Sequence, residues 1–143
     1  MSTSLSPRLV IFQCGFNHYS EADVKSVEAS ETARVKLVQV PCAGRISPFF
    51  ILNGVQSGVD GIIVSGCASG KCHFKKGNLG AGRQLDAFRE FLIYLGLEPQ
   101  RLRLVWIDPA DRGRLLHETE DMIAALRTLG PARRLVTRAP TAA

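Results

Sequence analysis

The chain has 143 residues, room for one ordinary domain but not two, and a chain of this size builds a core without disulfide staples. Hydrophobic residues make up 45% and charged residues 22%, with no long biased run, which excludes a disordered, collagenous or coiled-coil protein. The net charge of +5 is mild, the basic residues are not interleaved with stacking aromatics and no nucleic-acid motif is present, so a nucleic-acid partner is not expected.

No apolar stretch reaches the roughly 18 residues that span a bilayer. The start MSTSLSPRLV has neither a long hydrophobic region nor a cleavage site, and a cytoplasmic location is the expectation. The run from Arg8 to Cys14 is apolar, rich in β-branched and aromatic residues, and stops at Cys14-Gly15; it predicts a buried strand. Ser20 followed by early carboxylates predicts a helix to about Ala29. A second strand is expected over Val35 to Val40, closed by Pro41-Cys42-Ala43-Gly44, and Ser47-Pro48 opens a second helix that Gly58 ends.

Asp60 to Ser65 reads as a third apolar strand, ending at Gly66-Cys67. A glycine-rich loop from Gly66 to Gly80 follows, then an amphipathic helix from Gln84 to Leu95 with Leu85, Phe88, Leu92 and Leu95 on one core-facing side. Leu102 to Ile107 predicts a fourth strand and Arg112 to Leu129 a last helix. Fully apolar strands alternating with helices describe an α/β fold: a mainly parallel sheet of about four strands with helices on both faces, flavodoxin-like or related. It forms a single domain over residues 1–131, and residues 132–143 are expected to be a loose basic tail.

In such sheets ligands bind at the carboxyl ends of the strands. Cys14, Cys42 and Cys67 each fall at or just past a strand end, and Cys72 lies in the loop after the third strand, so all four converge on one edge. Structural disulfides are not expected in a cytoplasmic chain, and core cysteines have no reason to collect beside loop glycines. A metal is the better account. Paired zinc knuckles are missing, since only Cys67-x4-Cys72 is closely spaced, whereas iron–sulfur sites tolerate mixed spacing. The spacing leaves zinc, a redox-active Cys67 and Cys72 pair, and a Rieske-like role for His73 open beside the cluster. Glycines 15, 44, 66 and 70 allow backbone N–H groups near sulfur, and Arg45, Lys71, Lys75 and Lys76 supply positive charge nearby. A phosphate loop fails at Gly66 to Cys72, which is one residue short and has Cys where Ser or Thr would bind magnesium.

Phe12-x-Cys14 with Tyr19 and Ala22-Asp23, then Cys42-Ala43-Gly44-Arg45, Gly58-x-Asp60-Gly61, Gly66-Cys67-x4-Cys72-His73-Phe74, Gly77-Asn78 and Leu97-Glu98-x2-Arg101 together form a pattern. It resembles the delta subunit of methyl-viologen-reducing hydrogenase over about Leu9 to Pro131. The resemblance implies a small electron-transfer subunit with a 2Fe-2S cluster on Cys14, Cys42, Cys67 and Cys72. It also implies docking on a heterodisulfide-reductase-A-like partner that carries flavin and iron–sulfur centres. Electrons would pass between that partner and a hydrogenase, a formate dehydrogenase or another oxidoreductase module. The first motif departs from the family, with Gln13 and Asn17 where additional cysteines are common. The alternatives are a zinc-bound or metal-free adaptor between larger subunits, and a thiol redox protein using Cys67 and Cys72. No catalytic triad, carboxylate pair or nucleotide signature assigns catalysis to this chain.

Overall fold

The structure, a computed structural model, describes residues 6–14, 25, 28–29, 32–40, 46–67, 77–108, 111 and 113–132. Strand β1 (Arg8–Cys14) is followed by β2 (Arg34–Val40), helix α1 (Pro48–Gln56), β3 (Gly61–Cys67) and helix α2 (Gly77–Tyr94). A 3-10 turn (Pro99–Arg101), β4 (Leu102–Ile107) and helix α3 (Arg114–Leu129) complete the order. The strands form one all-parallel sheet in the order β2-β1-β3-β4, as the continuous apolar runs require. Lys25 and Glu28 are helical, with the Ala29 N–H donating to the Lys25 carbonyl at 2.8 Å, where the first helix is expected; the rest of that helix lies outside the described residues. So do Cys42, Cys72, His73, Phe74 and the basic loop residues Arg45, Lys71, Lys75 and Lys76.

Two apolar layers sandwich the sheet. On one side Leu9, Ile11, Ile63, Val105 and Ile107 pack against Leu115, Met122, Ile123 and Leu126 of α3. On the other, Ile62, Val64 and Leu102 pack against Ile51 and Val55 of α1 and Leu85 and Leu92 of α2. The alternation along the central strands β1 and β3 thus serves two cores, whereas the outer strand β2 exposes Arg34, Lys36 and Gln39. At Gly61 a Cβ would come within 2.8 Å of Leu126 Cδ1 and 2.9 Å of Met122 Cε, so the missing side chain lets α3 lie close on β3.

The expected loop from Gly66 to Gly80 is shorter than the sequence suggests, because α2 begins at Gly77, seven residues before the predicted start at Gln84. Glycines cost about 1 kcal/mol each in a helix, and local preference alone would stop it here. Packing reverses the balance. A Cβ on Gly82 would stand 3.3 Å from the Trp106 ring, so small residues let this end of α2 approach β4. Helix α1 starts as its cap residues require: the Ser47 hydroxyl accepts from the Phe49 N–H at 3.2 Å, and Pro48 occupies the first turn.

Side chains tie both outer strands. The Leu37 N–H of β2 donates to Glu28 Oε1 at 2.9 Å, and Arg89 Nε donates to the Leu102 carbonyl of β4 at 2.9 Å. Such contacts occupy backbone groups that an edge would otherwise offer to a foreign strand. At the opposite end of the sheet from the cysteines, Asp60 accepts from the Arg8 N–H (2.8 Å) and the Ala132 N–H (2.9 Å), joining the start of β1 to the residues after α3. Arg101, only 3% exposed, sits at the same end and donates to the Asp60 and Gly130 carbonyls at 3.0 and 2.7 Å and to Glu98.

Candidate functional site

The chain steps from β1 outward to β2, then returns past β1 to lay down β3 and β4 on the other side. Strand order therefore reverses at the β1/β3 boundary, and in a doubly wound sheet the crevice outside the carboxyl ends of those two strands is where ligands bind. Cys14 is the last residue of β1 and Cys67 the last residue of β3. The fold thus brings two of the four predicted ligands to neighbouring strand ends at the switch point. Cys14 is in register with Val40 of β2, and Cys67 with Ile107 of β4. Cys42 follows β2 by two residues and Cys72 follows β3 by five, so the chain leaves the same edge just before each of them. Among the described residues no three His, Cys, Asp or Glu side chains come together as a metal site.

Immediately beneath the strand ends the apolar layer facing α3 changes character. Leu9 and Ile11 of β1 are succeeded on that face by Gln13, and Ile63 of β3 by Ser65; Gln13 and Ser65 are register partners. Both are 0% exposed, and among the described residues neither the Gln13 carboxamide nor the Ser65 hydroxyl has a hydrogen-bond partner. A buried polar group left without a partner costs about 1–3 kcal/mol, so a polar step of this kind at a strand end marks a place built for something else. Soft thiolate donors suit an iron–sulfur cluster or zinc, and buried N–H and O–H donors suit the negative charge that thiolates and sulfides carry. The chemistry of the residues present fits an iron–sulfur group.

The same edge carries an aromatic pair that the sequence pattern alone did not bring forward. Phe49 and Phe50 open α1 directly after the β2 loop; Phe49 is 70% exposed, and Phe50, half-exposed, stacks on Phe12 with ring centroids 6.3 Å apart. Two consecutive aromatics at a helix start cannot both face the core, and that was the available signal. Phe91 and Tyr94, also exposed, lie at the far end of α2.

Among the described residues no helix is long and apolar enough to cross a membrane. A doubly wound parallel α/β protein with cysteines at its switch point is the class that these observations define. The chain belongs to the family of the methyl-viologen-reducing hydrogenase delta subunit, whose model matches residues 9–130. It is similar to an F420-non-reducing hydrogenase iron-sulfur subunit of Archaeoglobus profundus, 39% identical over 92% of this chain and 96% of that protein. A vhc iron-sulfur subunit of the same hydrogenase type from Methanococcus voltae is 30% identical, over 92% of each chain. A ferredoxin:CoB-CoM heterodisulfide reductase polypeptide of Methanosarcina mazei is 31% identical over 90% of this chain but only 16% of its own length. In that relative the matched region is one part of a much longer polypeptide.

Proposed function

We propose that this protein is an electron-transfer subunit that holds a 2Fe-2S cluster on Cys14, Cys42, Cys67 and Cys72. It relays electrons between a heterodisulfide-reductase-A-like flavin and iron–sulfur partner and a hydrogenase, formate dehydrogenase or similar module, in the cytoplasm. The observation that carries the reading is the arrival of Cys14 and Cys67 at the two switch-point strand ends, in a chain whose relatives are named iron-sulfur subunits. When bound, the cluster accepts and donates one electron at a time. The protein's part is to fix the four thiolates, to supply donors to sulfur, and to present one edge to its partners. The heterodisulfide-reductase-A-like partner is favoured because a relative carries the same region within a heterodisulfide reductase polypeptide.

Anaerobically purified protein is expected to contain about two irons and two acid-labile sulfides per chain and to be brown. One zinc per chain with no iron, in protein never exposed to oxygen, would replace this reading by that of a zinc-bound adaptor. Dithiol–disulfide exchange at Cys67 and Cys72 in iron-free protein would instead identify a thiol redox protein.

Electron transfer requires the cluster edge to be the docking edge, and exposed aromatics make good anchors. Phe49→Ser is therefore expected to leave the visible spectrum intact and to weaken binding to the flavin-bearing partner about tenfold or more. Reversing the charge of Lys75 and Lys76 is expected to slow association in a salt-dependent way. Both effects are read by surface plasmon resonance at several ionic strengths. Unchanged binding in the Phe49 variant would place the interface elsewhere.

A further inference from the structure

We infer that Gln13 and Ser65 are hydrogen-bond donors to the sulfur atoms of the group held at the switch point and that they set its reduction potential. The inference rests on the iron–sulfur reading above. Gln13 precedes Cys14 directly and Ser65 stands two residues before Cys67, on adjacent strands and in register with each other. Both side chains are buried on the same face as Ile11 and Ile63, and among the described residues both are without a hydrogen-bond partner. On the two central strands the rest of that face is apolar, with Leu9 and Ile11 on β1 and Ile63 on β3, so the sequence spends stability at one level of the sheet, under the two cysteines.

Thiolates and bridging sulfides accept hydrogen bonds and donate none. The Gln13 carboxamide offers two N–H groups and the Ser65 hydroxyl one O–H, which is the complementary set. Hydrogen bonds to cluster sulfur are one of the levers by which a protein tunes an iron–sulfur potential. Reduction adds a negative charge to the cluster, and donors aimed at sulfur stabilise the more negative state. Removing them must therefore make reduction harder. Gln13 and Ser65 tune the group by hydrogen bonding to its sulfur atoms and do not themselves carry the electron.

The test uses the full chain, reconstituted anaerobically, and compares the parent with Gln13→Leu and Ser65→Ala. Spectroelectrochemical titration is expected to show the reduction equilibrium of Gln13→Leu lowered about tenfold, a midpoint lower by about 59 mV for a one-electron couple, with a smaller shift of the same sign for Ser65→Ala. Resonance Raman bands of the iron–sulfur core should shift on transfer of the parent into heavy water, and that shift should shrink in Gln13→Leu. If Gln13→Leu does not fold, Gln13→Met preserves the unbranched shape and serves in its place. Iron-loaded variants that keep the parent midpoint and the parent deuterium shift would overturn this inference and leave the electron-transfer reading standing. Parent protein that binds no iron would overturn both.

Discussion

Cys42→Ser is expected to strip the cluster as completely as Cys67→Ser, leaving bound iron near background in each variant. The reason is the count: a 2Fe-2S core with full thiolate ligation needs four sulfurs, and this chain has four cysteines in all. No spare thiol stands ready to replace a lost one, since the chain has no fifth cysteine. Cluster binding depends on deprotonated soft ligands, and a serine hydroxyl is harder and far less acidic than a thiol. Iron and sulfide assays on anaerobically purified variants measure the loss. A full cluster in the Cys42 variant would remove Cys42 from the ligand set and would require a ligand that is not cysteine.

The second large effect lies at the other end of the sheet. Arg101→Ala is expected to destabilise the protein by about 2–3 kcal/mol, because it strands acceptors that the guanidinium now serves together. One nitrogen donates to the Asp60 carbonyl at 3.0 Å and another to the Gly130 carbonyl at 2.7 Å, while Glu98 Oε1 receives two of the N–H groups at 3.0 and 3.1 Å. The side chain therefore holds the entry to β3, the exit of α3 and its own 3-10 turn in one grip. Lysine cannot reproduce that fork, so Arg101→Lys should recover only part of the loss. Urea denaturation should show a lower midpoint with an unchanged slope. The iron content should not change, since the clamp is remote from the cysteine edge. A variant within about 0.5 kcal/mol of the parent, the range of ordinary surface substitutions, would show that the clamp is not needed.

Much of this architecture is legible from residue patterns, for identifiable reasons. The strand at Arg8–Cys14 is readable because a parallel strand covered on both faces is a near-continuous apolar run, and β4 (Leu102–Ile107) is readable on the same ground. Helix α1 announces itself through Ser47 and Pro48, whose roles at a helix start are local. The first turns of α2, from Gly77, are not legible locally: within them Gly82 comes so near Trp106, far along the chain, that a Cβ would stand 3.3 Å from its ring. Strand order is likewise a property of the whole, and without it the cysteines can be assigned to an edge but not to a switch point. By sequence alone Gln13 is one polar residue in an apolar run; its meaning appears only when β3 brings Ser65 beside it. Arg101 belongs to a motif carrying the family resemblance, and the structure gives it a purely architectural task.

The carboxylate of Asp60 receives N–H groups from both Arg8 and Ala132, so the start of β1 and the residues after α3 are fastened to one side chain. A unit whose entrance and exit adjoin can be spliced into a longer polypeptide without stretching or redirecting either flank. Both joints would lie at the amino end of the sheet, leaving the cysteine edge clear of the host. That geometry suits a piece that occurs at nearly full length in hydrogenase iron-sulfur subunits and as 16% of a heterodisulfide reductase polypeptide. The cysteine edge would then travel with the unit from one polypeptide to another, with both splice points at the far end of the sheet.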